Sequence, residues 1–295
     1  MKPAPFAYKS PTTLSEALGI MDQHGYEAKL LAGGQSLIPV MNFRLAMPTM
    51  LVDINHVSEL GQIQRSDTGS LHIGAMVRQS VLQHDPLIAE FAPLIHETIP
   101  FVAHQQIRNR GTIGGNLAHA DPASELPVIT VALEAKFKLQ RHDSARWIVA
   151  TDFFESLFIT ALEAEEILTE IAIPPLPPRT GYAFLEIARR HGDYAQSGVA
   201  AVVTLDEDGI CRQARLVFLN AGEIPMVAQE AAGMLLGERP FPELIADAVH
   251  TAAQQEIDPT DDIHATATYK RHLATVLGKR VLTLAVSRAQ AKVIP

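Results

Sequence analysis

Apolar positions along this chain switch between the period of a strand and the period of a helix, and the switch points outline its elements. Pro11-Thr12-Thr13-Leu14-Ser15-Glu16 sets Thr13 and Glu16 at capping-box spacing, which predicts a helix that stops near Gly25. Lys29-Leu30-Leu31-Ala32 is a short apolar strand, and Met50-Leu51-Val52-Asp53-Ile54 is a second. Strand-like pieces recur at 70–74, 136–140 and 146–149, while helical spacing covers 77–84 and 87–104. Such alternation predicts a mixed α and β fold.

Ile173-Pro174-Pro175-Leu176-Pro177-Pro178 breaks the pattern. Prolines at that density neither continue a helix nor sit inside a sheet, so the segment predicts a stiff extended connector. Beyond it the pattern predicts a strand at 182–188 and a hairpin of strands 199–205 and 210–219 around Asp208-Gly209. Helical spacing then covers 226–236, 242–255 and 266–289. The expected organisation is a larger unit over 1–175, with subdomains of roughly 1–57 and 58–175, and a smaller one over 179–295.

Composition narrows the function classes. Of 295 residues, 47% are apolar and 19% charged, a globular balance. With 24 Lys and Arg against 33 Asp and Glu, the net charge of -9 repels a phosphate backbone, which disfavours nucleic acid as the main ligand. The single cysteine, Cys211, makes no internal disulfide and cannot supply the four thiolates of an ordinary iron–sulfur cluster. Met1-Lys2-Pro3-Ala4-Pro5 is not followed by an apolar h-region, and no apolar run approaches about 18 residues. A cytoplasmic protein with no membrane span is expected.

G-x-G-x-x-G, the P-loop, H-E-x-x-H and the G-x-S-x-G elbow are all missing from the sequence. Two glycine-rich turns stand out instead: Leu30-Leu31-Ala32-Gly33-Gly34-Gln35-Ser36-Leu37 and Arg110-Gly111-Thr112-Ile113-Gly114-Gly115-Asn116-Leu117. Adjacent glycines let successive N–H groups converge on an anion, and Ser36, Thr112 and Asn116 add hydrogen-bonding side chains. From composition and spacing alone, a clamp for a pyrophosphate and a pair of plain tight turns both remain open.

The turns and their flanks resemble the FAD-binding medium subunit of molybdenum hydroxylases. That family includes the medium subunits of carbon monoxide, quinoline and nicotine dehydrogenases and the flavin domain of xanthine dehydrogenase. The likeness is carried by 32–37, by Arg108 to Pro122, by Arg189-Arg190-His191-Gly192-Asp193-Tyr194-Ala195 and by Tyr269-Lys270-Arg271-His272-Leu273, in the family's order over most of the chain. It implies an α+β chain: a two-subdomain vanillyl-alcohol-oxidase (PCMH)-type FAD-binding fold, then a small α+β C-terminal domain with an antiparallel sheet and helices. FAD would lie here. The molybdenum cofactor and [2Fe-2S] clusters would lie on a large molybdopterin subunit and a small iron–sulfur subunit, in a dimer of heterotrimers that passes electrons to an external acceptor. A stand-alone FAD oxidase of the same fold and a non-redox phosphate-binding module are the competing classes.

By the same resemblance, Leu30, Leu31, Ala32, Gly33, Gly34, Gln35, Ser36 and Leu37 wrap the FAD pyrophosphate. Thr112, Gly114, Gly115 and Asn116 form the opposing clamp, and Gly111, Ile113 and Ala120 are further cofactor-binding positions. Gln35 stands where some relatives carry histidine. Glu125 falls near the FAD adenosine, with Asp121 as competitor and a surface acid as the plain alternative. Leu168 packs on adenine, and Val102 contacts FAD through its side chain. Tyr194 lies by the isoalloxazine ring as a gate for the oxidant. Arg189 and Arg190 are flavin-site cations or a solvated pair. No residue of the chain is expected to act as acid, base or nucleophile, and no metal site is expected.

Overall fold

The computed structural model describes residues 2–291; Met1 and residues 292–295, the two ends of the expected units, lie outside the described residues. Among the described residues, three larger sheets follow one another along the chain, with a two-stranded hairpin besides. The first holds β1 (Ala7–Lys9), β2 (Ala28–Leu31) and β3 (Met50–Asp53) in the order β1-β3-β2, all parallel. Helix α1 (Leu14–His24) joins β1 to β2, and α2 (Leu37–Asn42) lies between β2 and β3. As its capping-box spacing predicts, α1 begins where the Glu16 N–H donates to Thr13 Oγ1 at 3.2 Å. Glu16 returns a carboxylate to the N–H of Thr12, one residue earlier than the simple box, and the helix closes at Gly25 with φ +43°.

The second sheet is antiparallel, in the order β4 (Ile63–Arg65), β5 (Leu71–Gly74), β10 (Ile167–Ile173), β6 (Lys136–Gln140), β7 (Ala145–Val149). Between β5 and β6 run short helices: α3 (Gln79–Leu82), α4 (Pro86–Phe91), α5 (Pro93–Thr98), α6 (Gln105–Arg108), α7 (Ile113–His119) and α8 (Glu125–Ala132). After β7 come α9 (Ala150–Phe153) and the hairpin β8 (Phe154–Ser156) with β9 (Ile159–Thr160). The long helix expected over 87–104 is divided. Pro93 opens α5 and Pro100 enters a 3-10 turn at Ile99–Phe101, because a proline has no N–H for the helix ladder.

After the extended proline segment, β11 (Thr180–Ala188), β12 (Ala195–Leu205), β13 (Cys211–Leu219) and β14 (Met226–Val227) form an antiparallel sheet in chain order. Met226 and Val227, expected in a helix, instead pair with β13, and α10 (Gln229–Leu235) starts after them. Helices α11 (Pro242–Thr251), running on as a π-turn over Ala252–Glu256, and α12 (Ala267–Ala291) cover one face. There α12 lies so close to β11 that a Cβ at Gly181 would meet the Ala285 carbonyl oxygen at 1.9 Å. The other face turns to the N-terminal part. Phe184, Ala200, Val202, Val217 and Leu219 share one core with α5, α8 and the second sheet.

Helix α8 is buried on every residue between those two sheets. That is why its sequence shows no amphipathic period. Among the described residues, no helix is long and apolar enough to cross a membrane.

Candidate functional site: a glycine-lined cleft at the ends of parallel strands

Strands β2 and β3 run parallel, so their C-terminal ends lie side by side, the usual place for a ligand beside a parallel sheet. The chain leaving β2 turns through Ala32-Gly33-Gly34-Gln35-Ser36 into α2; the chain leaving β3 turns through Asp53-Ile54-Asn55. Residues 31–35, with Ile38, Pro39, Asp53, Asn55 and Arg110, bound a cleft of about 360 Å³.

The first glycine turn leaves its donors open. Among the described residues, no acceptor takes the backbone N–H groups of Gly33, Gly34, Gln35, Ser36 or Leu37. Gly34 has φ +72°, a conformation that costs any residue with a Cβ. Gln35 folds back so that Nε2 donates to the Gly33 carbonyl at 3.0 Å, and Ser36 makes no capping hydrogen bond. Ile38 N–H donates to the Gly34 carbonyl, which starts α2 and sets the turn's curvature.

The second glycine turn is built differently. The N–H groups of Ile113, Gly114, Gly115 and Asn116 donate to Val77 O, Ala75 O, Thr112 Oγ1 and Thr112 O. The Asn116 side-chain oxygen accepts from Ser124 at 2.9 Å. A Cβ at Gly114 would meet that of Ala75 at 2.5 Å, and one at Gly115 would meet Thr112 Oγ1 at 2.8 Å and the Ala32 Cβ at 3.2 Å. These glycines therefore serve close packing. Among the described residues, only the first turn presents open amides; the second, with Gly111, seats the Ala32–Gly33 loop. A Cβ at Gly34 would meet the Leu31 and Ile38 side chains at 3.2 and 3.3 Å.

A hydrogen-bonded floor lies beneath the cleft. Asn55 Nδ2 donates to the Ala32 carbonyl at 2.8 Å, and Arg78 donates to both Asn55 Oδ1 and the Arg110 carbonyl. Burial lowers the Arg78 pKa, with Arg110 adding to the effect. Tyr8 donates to Asp53 at 2.6 Å; this and the bonds from Asn55 hold the Asp53 carboxyl below its ordinary value against the cost of its burial. Asp53, Asn55, Arg78 and Arg110 were not singled out in sequence as site residues. The signal available there was the parallel pairing of two strands that each end in a turn.

The other expected contacts lie away from this cleft. Leu168 sits on β10, 5% exposed, in the shared core, and the Val102 side chain is in the same core. Ala120 caps α7 in the left-handed region, and Asp121 accepts the Ala123 N–H at 2.9 Å. Glu125 is 5% exposed, so it is not the surface acid that its sequence allowed. Burial raises its pKa and, more strongly, that of Glu186 across the seam with the C-terminal sheet, whose Oε2 has no partner among the described residues. Tyr194 is 62% exposed. Desolvation of the phenol, then Asp121, Asp193 and Glu125, hold its pKa up. The turn before it is pressed against the N-terminal part: a Cβ at Gly192, φ +79°, would meet His104 Nδ1 at 2.5 Å. Arg189 pairs with Asp193 at 2.9 Å, and Arg190 is held more loosely at 3.8 Å; both stay exposed.

Residues 4–176 match the family model for the FAD binding domain in molybdopterin dehydrogenase, and 182–285 match the CO dehydrogenase flavoprotein C-terminal domain. The chain belongs to this family. It is 41% identical to the 6-hydroxypseudooxynicotine dehydrogenase complex subunit alpha of Paenarthrobacter nicotinovorans, over 98% of this chain and 97% of that one. It is 38% identical to the caffeine dehydrogenase subunit beta of Pseudomonas sp. (strain CBB1), over 98% and 97%. Carbon monoxide dehydrogenase from Hydrogenophaga pseudoflava superposes with a TM-score of 0.94 at 35% identity, over 98% of this chain and 99% of that chain. Quinoline 2-oxidoreductase from Pseudomonas putida 86 does so with a TM-score of 0.92 at 36% identity, over 98% and 99%. An FAD-binding unit followed by a flavoprotein C-terminal domain is thus the family architecture, in an oxidoreductase subunit whose relatives work inside multi-subunit enzymes.

Proposed function

We propose that the chain holds one FAD non-covalently, with its diphosphate against the open amides of Gly33 to Leu37. In this reading it is the medium subunit through which a molybdenum hydroxylase discharges its electrons. The observation that carries the reading is that unclaimed row of N–H groups, set where two parallel strands end. A diphosphate offers acceptors only, so it matches a row of donors, and Arg110 adds positive charge at the rim.

When bound, FAD would supply the redox chemistry, receiving electrons from clusters on a partner subunit. The chain's residues bind, orient and shield. Gly33 and Gly34 bring the backbone close, Asn55 and Arg78 hold the loop's shape, and the Thr112–Asn116 turn fixes it from behind. Tyr194 stands at the seam where an aromatic ring can cover an apolar cofactor face and limit access of the oxidant. Leu168, Val102, Asp121 and Glu125 are the proposed supports of the remaining parts of the cofactor, within units of 1–57, 58–175 and 179–295. The assembly we propose is a cytoplasmic dimer of heterotrimers with a large molybdopterin subunit and a small iron–sulfur subunit.

The test is a visible spectrum of the purified protein, with acid-extracted FAD quantified per chain, and co-purification with a molybdenum subunit. One extractable FAD per chain supports the reading. A colourless protein that takes up no FAD on reconstitution overturns it, and substrate oxidation by the isolated chain would replace it with the stand-alone oxidase.

A further inference from the structure

The Tyr269-Lys270-Arg271-His272-Leu273 stretch has no part in the cleft, yet it holds a buried cation. Lys270 is 2% exposed near the start of α12. Its Nζ lies 2.7 Å from Asp262 Oδ2 and donates to Asn220 Oδ1 at 3.1 Å. Burying an ammonium is costly unless it is paired, and in some proteins such a pair fixes a geometry more than it adds stability. The geometry defined here is that of Asn220.

Asn220 ends β13 in the left-handed region, φ +53°, which asparagine tolerates better than most residues. From that one position it bonds in three directions. Its N–H donates to the Pro122 carbonyl at 3.0 Å, its Nδ2 donates to the Ala195 carbonyl at 2.8 Å, and its Oδ1 accepts from Lys270. The amide orientation follows from the partners. An ammonium only donates and a carbonyl only accepts, so the oxygen must face Lys270 and the nitrogen must face Ala195. Pro122 follows Asp121, and Ala195 follows Tyr194. Asp262 also accepts the N–H groups of His264 and Ala265 at 2.7 and 2.8 Å, and the His264 carbonyl accepts from Gln196 at 2.9 Å. The loop that holds Lys270 thus grips the same start of β12.

We propose that Asn220, oriented by Lys270, is a positioning residue of the flavin site, which locks Tyr194 in register with the Asp121–Pro122 segment of the FAD-binding part. The proposal rests on Tyr194 acting at the flavin, and the experiment separates the two claims. In the assembled multi-subunit enzyme, FAD content, the flavin circular dichroism spectrum and stopped-flow reoxidation are measured for Tyr194→Ala, Asn220→Asp and the double variant. Asn220→Asp keeps shape and the Lys270 contact but turns an oxygen toward the Ala195 carbonyl. It is expected to retain FAD, alter the dichroism and change reoxidation on the order of fivefold, the effect of one ordinary hydrogen bond. In the Tyr194→Ala background the same substitution is expected to change nothing further.

An effect of Asn220→Asp that persists undiminished without the Tyr194 ring overturns the positioning role while leaving the Tyr194 reading intact. No effect of Tyr194→Ala itself defeats that reading and this one with it. If Asn220→Asp does not fold, Lys270→Met removes the orienting donor with little change of volume and carries the same expectations. Loss of FAD, or of the folded complex, in both variants would show the network to be structural and overturn the proposal.

Discussion

Gly33 lies directly on Arg110: a Cβ added at Gly33 would come within 2.4 Å of the Arg110 carbonyl oxygen and 2.7 Å of the Gly111 Cα. Both are backbone atoms, and the Arg110 carbonyl is already held by Arg78. The two glycine turns thus touch here as they do at Gly115 and Ala32, and the open amides of the first depend on its seat against the second.

The first expectation follows from that contact. Gly33→Val cannot be relieved by a side-chain rotation, so it should shift the loop, empty the site of FAD and cost about 1–3 kcal/mol of stability. Gly34→Ala meets only flexible side chains and bears the cost of φ +72°, about 1–2 kcal/mol. FAD extracted per chain and urea denaturation of both variants give the comparison. Full flavin content in Gly33→Val would disprove the seating role.

A second expectation concerns pH. Burial, and then Glu125 across the seam, raise Glu186 to about 8; burial first, with Asp121 adding and Arg108 opposing, raises Glu125 to about 7. In the unfolded chain both ionise in the ordinary range, about 4.3. From there to about 8 the folded chain binds more protons than the unfolded one, so the pair makes stability fall as pH rises and then level off. Glu186→Gln removes one of these ionisations. Its Tm should exceed the parent's by about 3 °C or more above that window and converge toward it at acid pH. Parallel Tm curves across the whole range would refute the buried acid pair.

A third concerns Tyr194 directly. Since the ring stands away from the glycine cleft, Tyr194→Ala should retain most FAD yet change flavin reoxidation several-fold. Tyr194→Phe separates packing from the hydroxyl: parent-like kinetics assign the effect to the ring, Ala-like kinetics to the hydroxyl. Complete loss of FAD in Tyr194→Ala would give the residue a binding role instead.

A fourth concerns Cys211. The thiol is fully buried in β13, and burial pushes its pKa up to about 11 against a smaller lowering by the Gln213 backbone. The thiolate is the reactive form, so the folded protein should leave a disulfide reagent unreacted over minutes at pH 8, with one thiol titrating once the chain is unfolded. Rapid modification of the native chain would contradict this burial.

Local sequence determined much of the framework, because local rules act through neighbours. The capping residues of α1, the proline break after Ile173, the hairpin of β12 and β13 and the two glycine pairs are all readable from adjacent positions. The ordered motifs carried the family. Tertiary structure decided the rest. Helix α8 has no period because it is covered on all sides, and β10 joins its sheet between strands distant in sequence. Two glycine pairs of similar sequence do opposite things. The amides of Gly33 to Leu37 stay open at the end of a parallel strand, while those of Ile113 to Asn116 are taken up by Ala75, Val77 and Thr112. The partner of a backbone donor is set by which distant segment the fold brings beside it, and spacing along the chain does not encode that. For the same reason Asp53, Asn55, Arg78 and Asn220 carry no signal in sequence: each acquires its place only when strands and loops far apart in the chain meet.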